Sequence, residues 1–178
     1  MESEVGGKMQ AEYCFKREVE HILAALMPAN RLACEVSLAT GLRIGDVLRL
    51  KTEDVFKERF SVQESKTGKR RVVRLTKDLK VRCAAFSGSL YVFPGRLDGR
   101  KPRSRQAVWK DLKRVARLMR LDVNLTPHSM RKVYAVEQYH KDGDLKRVQR
   151  LLNHSSEAVT MIYAMADEQV RRAHNGRK

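Results

Sequence analysis

The stretch Thr126–Tyr163, TPHSMRKVYAVEQYHKDGDLKRVQRLLNHSSEAVTMIY, carries three features that suit a phosphate. Thr126-Pro127 reads as an N-cap followed by proline at the first helical position, where a missing N–H costs nothing. His128 then falls in the first turn, beside free backbone donors and the positive end of the helix dipole. Arg131 comes three residues later, so both side chains share one helix face. His154 precedes Ser155-Ser156, which reads as the cap of a final helix, and Tyr163 lies two turns into it. A cationic fork, two imidazoles and a phenol are what nucleophilic attack on a phosphodiester needs. Singly, each also fits a solvated face, a packed ring or a satisfied loop. Their order, and what precedes them, separates the two.

The 178 residues suffice for one domain with a real core, and 42% are apolar. No run approaches a membrane span, and the opening MESEVGGKMQ is polar and acidic, unlike a signal peptide. Cys14, Cys34 and Cys83 are odd in number and far apart, which fits neither a disulfide framework nor a zinc site and suggests a reducing cytoplasm. The net charge is +16, and it is unevenly placed. Residues 1–60 hold nine Lys/Arg against ten Asp/Glu, whereas the rest hold 28 against 11. Such asymmetry predicts a surface shaped for a polyanion, with nucleic acid ahead of an anionic membrane.

In chain order, Phe15, Val19, Ile22 and Leu26 repeat at helical spacing and end at Pro28. Asn30 is placed to cap a second helix, ANRLACEVSLATG, with Gly41 as its stop. LRIGDVLRL follows, with Ile44, Val47 and Leu48 on an apolar face and Arg43 at the junction of two helices. An arginine in apolar company is usually paired or aimed at an anion. Residues 54–75 alternate like strands, broken at Lys66-Thr67-Gly68-Lys69, and predict a small antiparallel sheet with its tip near Thr67-Gly68. Five basic residues lie between Lys66 and Arg74, among them Lys69, Arg70 and Arg71. They suit either a charged edge that blocks sheet pairing or a hairpin reaching toward DNA.

Lys77–Ala85 reads as a short helix, and SLYVFPG as a buried segment closed by Pro94-Gly95. Between Arg96 and Arg120 ten Lys/Arg face two acids. Arg103 and Arg105 flank the start of a helix at Ser104. Its Val108, Leu112, Val115 and Met119 form one face, with Lys110, Lys113, Arg114, Arg117 and Arg120 on the others, so it should lie along a phosphate backbone. Trp109 is assigned to packing, as are the tyrosines other than Tyr163.

Over roughly Asn30–Asp167 the chain resembles the catalytic domain of the tyrosine recombinase (phage integrase) family. ATGLRIGDVLRL resembles the segment with the first catalytic arginine, here Arg43, and Asp46 stands at the acidic position that often braces it. SKTGKRRVVRL resembles the hairpin holding the catalytic lysine, here Lys66. TPHSMRKVYA resembles the His-x-x-Arg box, giving His128 and Arg131, and LLNHSSEAVTMIY the ending that supplies His154 and the nucleophile Tyr163. Asn153 replaces the glycine usual before the late histidine, and Met130 and Lys132-Val133-Tyr134 replace commoner residues around the second arginine.

The resemblance implies a mainly α fold with a small three-stranded antiparallel sheet. The boundaries would be an N-terminal helix and linker over 1–29, a catalytic domain over 30–167 and a basic tail over 168–178. It implies a 3′-phosphotyrosine intermediate on double-stranded DNA, self-assembly on DNA as a dimer or tetramer, no metal or other cofactor, and a cytoplasmic, nucleoid-associated place of action. Arg43 and Arg131 would hold the non-bridging oxygens, Lys66 would protonate the leaving oxygen, His128 would move the tyrosine proton and His154 would add a hydrogen bond. Residues 1–28 are too short for the helical clamp domain that full-length integrases carry. A topoisomerase of type IB and a non-cleaving DNA-binding protein remain the alternatives.

Overall fold

The computed structural model describes residues 16–121 and 124–153. Ten elements follow in order. They are α1 (Lys16–Ala25), α2 (Pro28–Thr40), α3 (Ile44–Val47), α4 (Thr52–Val55), β1 (Phe60–Gln63), β2 (Arg70–Val73), α5 (Lys77–Phe86), α6 (Arg105–Leu118), α7 (Pro127–Asp142) and α8 (Leu145–Leu151).

Helix α2 is the centre, packing against α1, α3, α5, α6 and α7. Its Leu32, Ala33, Cys34 and Val36 are fully buried, which a single amphipathic stripe could not achieve. Burying a side chain such as Leu32 contributes roughly 1.5–3 kcal/mol. Opposite them, Ile22 of α1, Leu112 and Val115 of α6 and Met130 of α7 close the core. The same burial pushes the Cys34 thiol up to about 12, with Asp111 and Glu35 adding to it, so this cysteine is an inert apolar group.

Two junctions differ from the sequence reading. Pro28 opens α2 rather than closing a helix, and Met27 occupies the cap position with no side-chain bond. Asn30 is therefore not a cap. Its Nδ2 donates to Asp111 Oδ2 at 2.7 Å, and its Oδ1 accepts from Arg103 Nε at 2.6 Å, tying α2 to α6. Burial alone would raise the Asp111 carboxyl, but bonds from Asn30, the Met27 N–H and Arg114 hold it below the usual carboxylate range.

The hairpin pairs Phe60 with Val73 through to Gln63 with Arg70, antiparallel. Gly68, at φ +67°, turns the tip where the sequence places it. The described residues hold two strands, not the three expected. The other extended segments meet only at isolated bridges, Lys51 with Tyr91 and Pro94 with Pro102, and two prolines offer no N–H to extend the second.

The expected caps hold at two helices: Ser104 accepts from Ala107 N and Thr126 from His128 N, and at α5 Thr76 accepts from Leu79 N. Thr126 and Ser129 also form a reciprocal capping box that fixes the entry to α7. No helix among the described residues is long and apolar enough to cross a membrane.

Candidate active site

Three segments far apart in sequence meet at one cleft: the turn after α2, the tip of the β1–β2 hairpin, and the first turn of α7. Arg43, Lys66, His128 and Arg131 all line it, with Arg105 and Trp109 of α6 closing one wall. Its volume, about 730 Å³, is ample for a phosphodiester and its neighbouring sugars.

The turn is built first. Gly41 ends α2 at φ +67°, a conformation that costs L side chains steric energy. A Cβ there would stand 2.4 Å from two ring carbons of Tyr134 on α7, so the glycine also lets the helices approach. Arg131 Nη1 donates to the Gly41 carbonyl, and Arg71 Nη2 to the Thr40 carbonyl. Pinned from both sides, the turn delivers Arg43 to the cap position of α3.

Arg43 is not held by Asp46. Its Nη1 donates to Glu64 Oε2 at 2.6 Å, and Glu64 is fully buried. Asp46, equally buried, points its Oδ1 at Ser65, accepting from the N–H at 3.0 Å and the hydroxyl at 2.7 Å. The acid expected to brace the arginine thus braces the hairpin, and an acid on the hairpin braces the arginine. A directional signal for Glu64 was present in the sequence: Phe60 and Val62 point inward, and position 64 continues that period of two. A carboxylate at an inward position calls for a cation.

Arg131 is 1% exposed. Its two described hydrogen bonds run to backbone carbonyls, Gly41 on one side and Leu152 beyond α8 on the other. Planar and always protonated, it carries its charge to the floor of the cleft. Lys66, by contrast, is exposed at the hairpin tip. His128 is exposed on its outer face yet hemmed in by protein on the other. Desolvation, followed by the charges of Arg131, Lys132, Arg43 and Lys66, pushes its imidazole down to about 4. It is neutral at pH 7 and able to accept a proton.

The expected nucleic-acid contacts divide into two groups. Lys69, Arg70, Arg105, Lys110 and Arg117 are exposed. Arg71 and Arg103 turn inward to Thr40 and Asn30, and Arg114 bonds Asp111 and the Ala25 carbonyl. Lys113 reaches Asn124 at 2.5 Å and stands 5.8 Å from the Trp109 ring. Trp109 does not pack inward as the sequence suggested: it is 44% exposed and lines both this cleft and a second groove with Lys110, Arg117 and Leu118. Met119 likewise ends α6 at its cap, 37% exposed, instead of joining the core face.

His154 and Tyr163 lie outside the described residues. Asn153, immediately before them, sits at φ +49°. The position therefore calls for a residue that tolerates left-handed backbone, and asparagine does so better than any side chain except glycine's hydrogen. Among the described residues no cluster of three or more His, Cys, Asp or Glu could hold a metal ion.

The model of the phage integrase family matches residues 13–170. A probable integrase/recombinase of Bacillus subtilis (strain 168), YoeC, is 33% identical over 139 residues, covering 75% of this chain and 76% of its own length. The tyrosine recombinase XerD of Staphylococcus saprophyticus is 28% identical over 182 residues, covering 89% of this chain, which spans 60% of that protein. Among solved structures, a lambda integrase (75-356) dimer bound to a COC′ core site superposes with a TM-score of 0.72 at 25% identity, covering 88% of this chain and 60% of that one. The chain thus spans less than two thirds of the length of two of these three relatives.

Proposed function

The chain belongs to the phage integrase family, and on that footing we propose that it is a site-specific DNA recombinase that cleaves and rejoins DNA through a 3′-phosphotyrosine. The convergence of Arg43, Lys66, His128 and Arg131 on one cleft carries this reading. Such a set can neutralise a phosphodiester and move protons on both sides of it without a metal.

In the proposed step the Tyr163 oxygen attacks phosphorus and its phenolic proton passes to neutral His128. The bond from phosphorus to the 5′-oxygen breaks, and that oxygen takes a proton from Lys66. Arg43 and Arg131 hold the non-bridging oxygens while charge accumulates, and His154 adds a hydrogen bond. A phenol has a pKa near 10, so the neighbouring cations and base are needed for it to react at neutral pH. Rejoining reverses these transfers with a new 5′-hydroxyl. The relatives' assembly as dimers on DNA supports self-assembly of this chain on its target, with α6 and the hairpin against the backbone. A cytoplasmic, nucleoid-associated place of action goes with this reading.

A library of nicked duplexes with a randomised core tests the activity and identifies the site together. Cleavage near a nick releases a short strand and prevents rejoining, so the adduct accumulates. We expect DNA-linked protein after denaturation, without added metal, enriched for one sequence and absent in Tyr163→Phe. Adduct that persists in Tyr163→Phe, or no adduct from the wild-type chain, overturns the proposal.

A further inference from the structure

Lys66 makes no hydrogen bond or ion pair with any described residue. Its location is therefore set by the backbone on either side of it. Ser65 is held by Asp46 through its N–H and its hydroxyl. Thr67 donates its hydroxyl to Glu64 Oε2 at 3.1 Å, the same oxygen that accepts from Arg43 Nη1 at 2.6 Å. The Glu64 backbone closes the turn as well, its carbonyl accepting from Gly68 N and its N–H donating to the Lys69 carbonyl. One buried carboxylate oxygen thus joins the arginine at the cleft to the turn that carries the lysine.

We propose that Glu64 is a positioning residue for strand cleavage, coupling Arg43 and the Lys66 turn so that the phosphate and its leaving oxygen are met in fixed register. This rests on the cleavage activity proposed above. A buried carboxylate is a poor device for stability alone, because desolvating the pair offsets much of its attraction. Stability does not require it to choose an arginine that lines a cleft and is still 20% exposed. The arrangement also directs the Glu64 charge to Arg43, and more distantly to Arg71 at 3.9 Å, and no ion pair joins it to the Lys66 ammonium.

Three variants on two substrates test it, using the duplex recovered from the library with either oxygen or sulfur at the bridging 5′ position. A thiolate leaves without a proton, so sulfur removes the need for Lys66. Glu64→Gln should cleave the oxygen substrate about 10²-fold more slowly, the scale of a displacement of about 1 Å at a reacting group. Its DNA affinity should match or exceed that of the wild type, since a negative charge near the phosphate is gone. On sulfur its deficit should shrink at least about tenfold without vanishing, because the Arg43 share remains. Lys66→Ala should be fully restored by sulfur. So should Thr67→Val, which loosens the turn and leaves the Arg43 bond in place.

A Glu64→Gln deficit of equal size on both substrates would overturn the coupling, since a merely misfolded or arginine-deficient protein gains nothing from an easier leaving group. A Glu64→Gln rate equal to wild type would overturn it too. Wild-type protein that forms no adduct removes the parent activity, and this inference with it.

Discussion

Arg43 and Arg131 in the cleft, and Lys110 and Arg117 on α6, are cations facing the same proposed partner, yet the fold treats them in opposite ways. The cleft arginines are built in: Arg131 is 1% exposed and bonded to two carbonyls, and Arg43 is fixed by a buried carboxylate. The α6 cations stand in solvent on a helix whose only buried face is Val108, Asp111, Leu112, Val115 and Ala116. Charges in water attract a polyanion at long range and at modest cost in specificity. A preorganised pair fixed in a cleft does less for encounter and more for a transition state. On the function proposed above, their separation assigns binding and chemistry to different residues, so that each should be breakable without the other.

The largest effect should come from the cleft. Arg43→Ala is expected to lower the cleavage rate about 10²–10³-fold at saturating DNA, the cost of removing one donor from a charge-stabilising site. The salt dependence of binding should hardly move. If instead binding collapses and the bound-state rate is kept, the two regions have been assigned the wrong way round.

Next comes the frame. Gly41→Ala drives a Cβ to 2.4 Å from the Tyr134 ring at positive φ, and overpacking of this kind costs roughly 1–3 kcal/mol before strain is added. Gly68→Ala has the same φ of +67° but open space around it, and should cost only the backbone strain of about 1–2 kcal/mol. Chemical denaturation of the pair separates packing from backbone strain, and equal losses would show that the approach of α2 to α7 is not tight.

Triple substitution of Lys110, Lys113 and Arg117 by alanine tests the other side of the comparison. For every phosphate that loses its cation, the slope of log K against log salt should become shallower by about 0.9, with the cleavage rate of bound complex nearly unchanged. A slope that does not change would take α6 off the backbone.

The smallest effect concerns His128. Its folded-state pKa, near 4, lies below the unfolded value near 6.5, so between those limits the unfolded chain binds more protons. Stability contributed by this residue is therefore present above about pH 6.5 and lost as pH falls toward 4. His128→Gln should flatten the melting temperature across that window by only a small amount, because the exposed outer face of the ring lets solvent screen its charge. An imidazole titrating near 6.5 by NMR would contradict the desolvation and the cationic surroundings described for it.

Much of the fold is legible in the sequence because it is local. Thr126-Pro127, Ser104 and Gly41 mark helix ends by groups within a few residues of each other, and the structure agrees at all three. What the sequence does not convey is pairing at a distance. Asn30 looks like a cap until Asp111 and Arg103 arrive from 81 and 73 residues away. Asp46 is three residues from Arg43, which invites pairing them, but the short α3 carries the carboxylate round to Ser65. Trp109 has every propensity for a core, and only the placement of α6 beside the cleft turns it outward. The expectation of a third strand rests on family resemblance, not on a pattern in these residues.

Arg131 also fastens the carbonyl of Leu152, so the chain leaves the floor of the cleft from a known mooring. Tyr163 lies eleven residues further on. At about 3.3–3.6 Å per residue, that length can span no more than about 40 Å, whatever path it follows. The radius is a purely mechanical bound on how far the phenol lies from that mooring. It comfortably includes the protein's own cleft, and it includes a second cleft only if that one is brought within the same sphere. On the mechanism proposed above, lengthening the stretch between residues 153 and 163 would enlarge the sphere and lower the local concentration of the phenol at the first cleft, so the balance between cleaving at home and cleaving next door would shift with contour length.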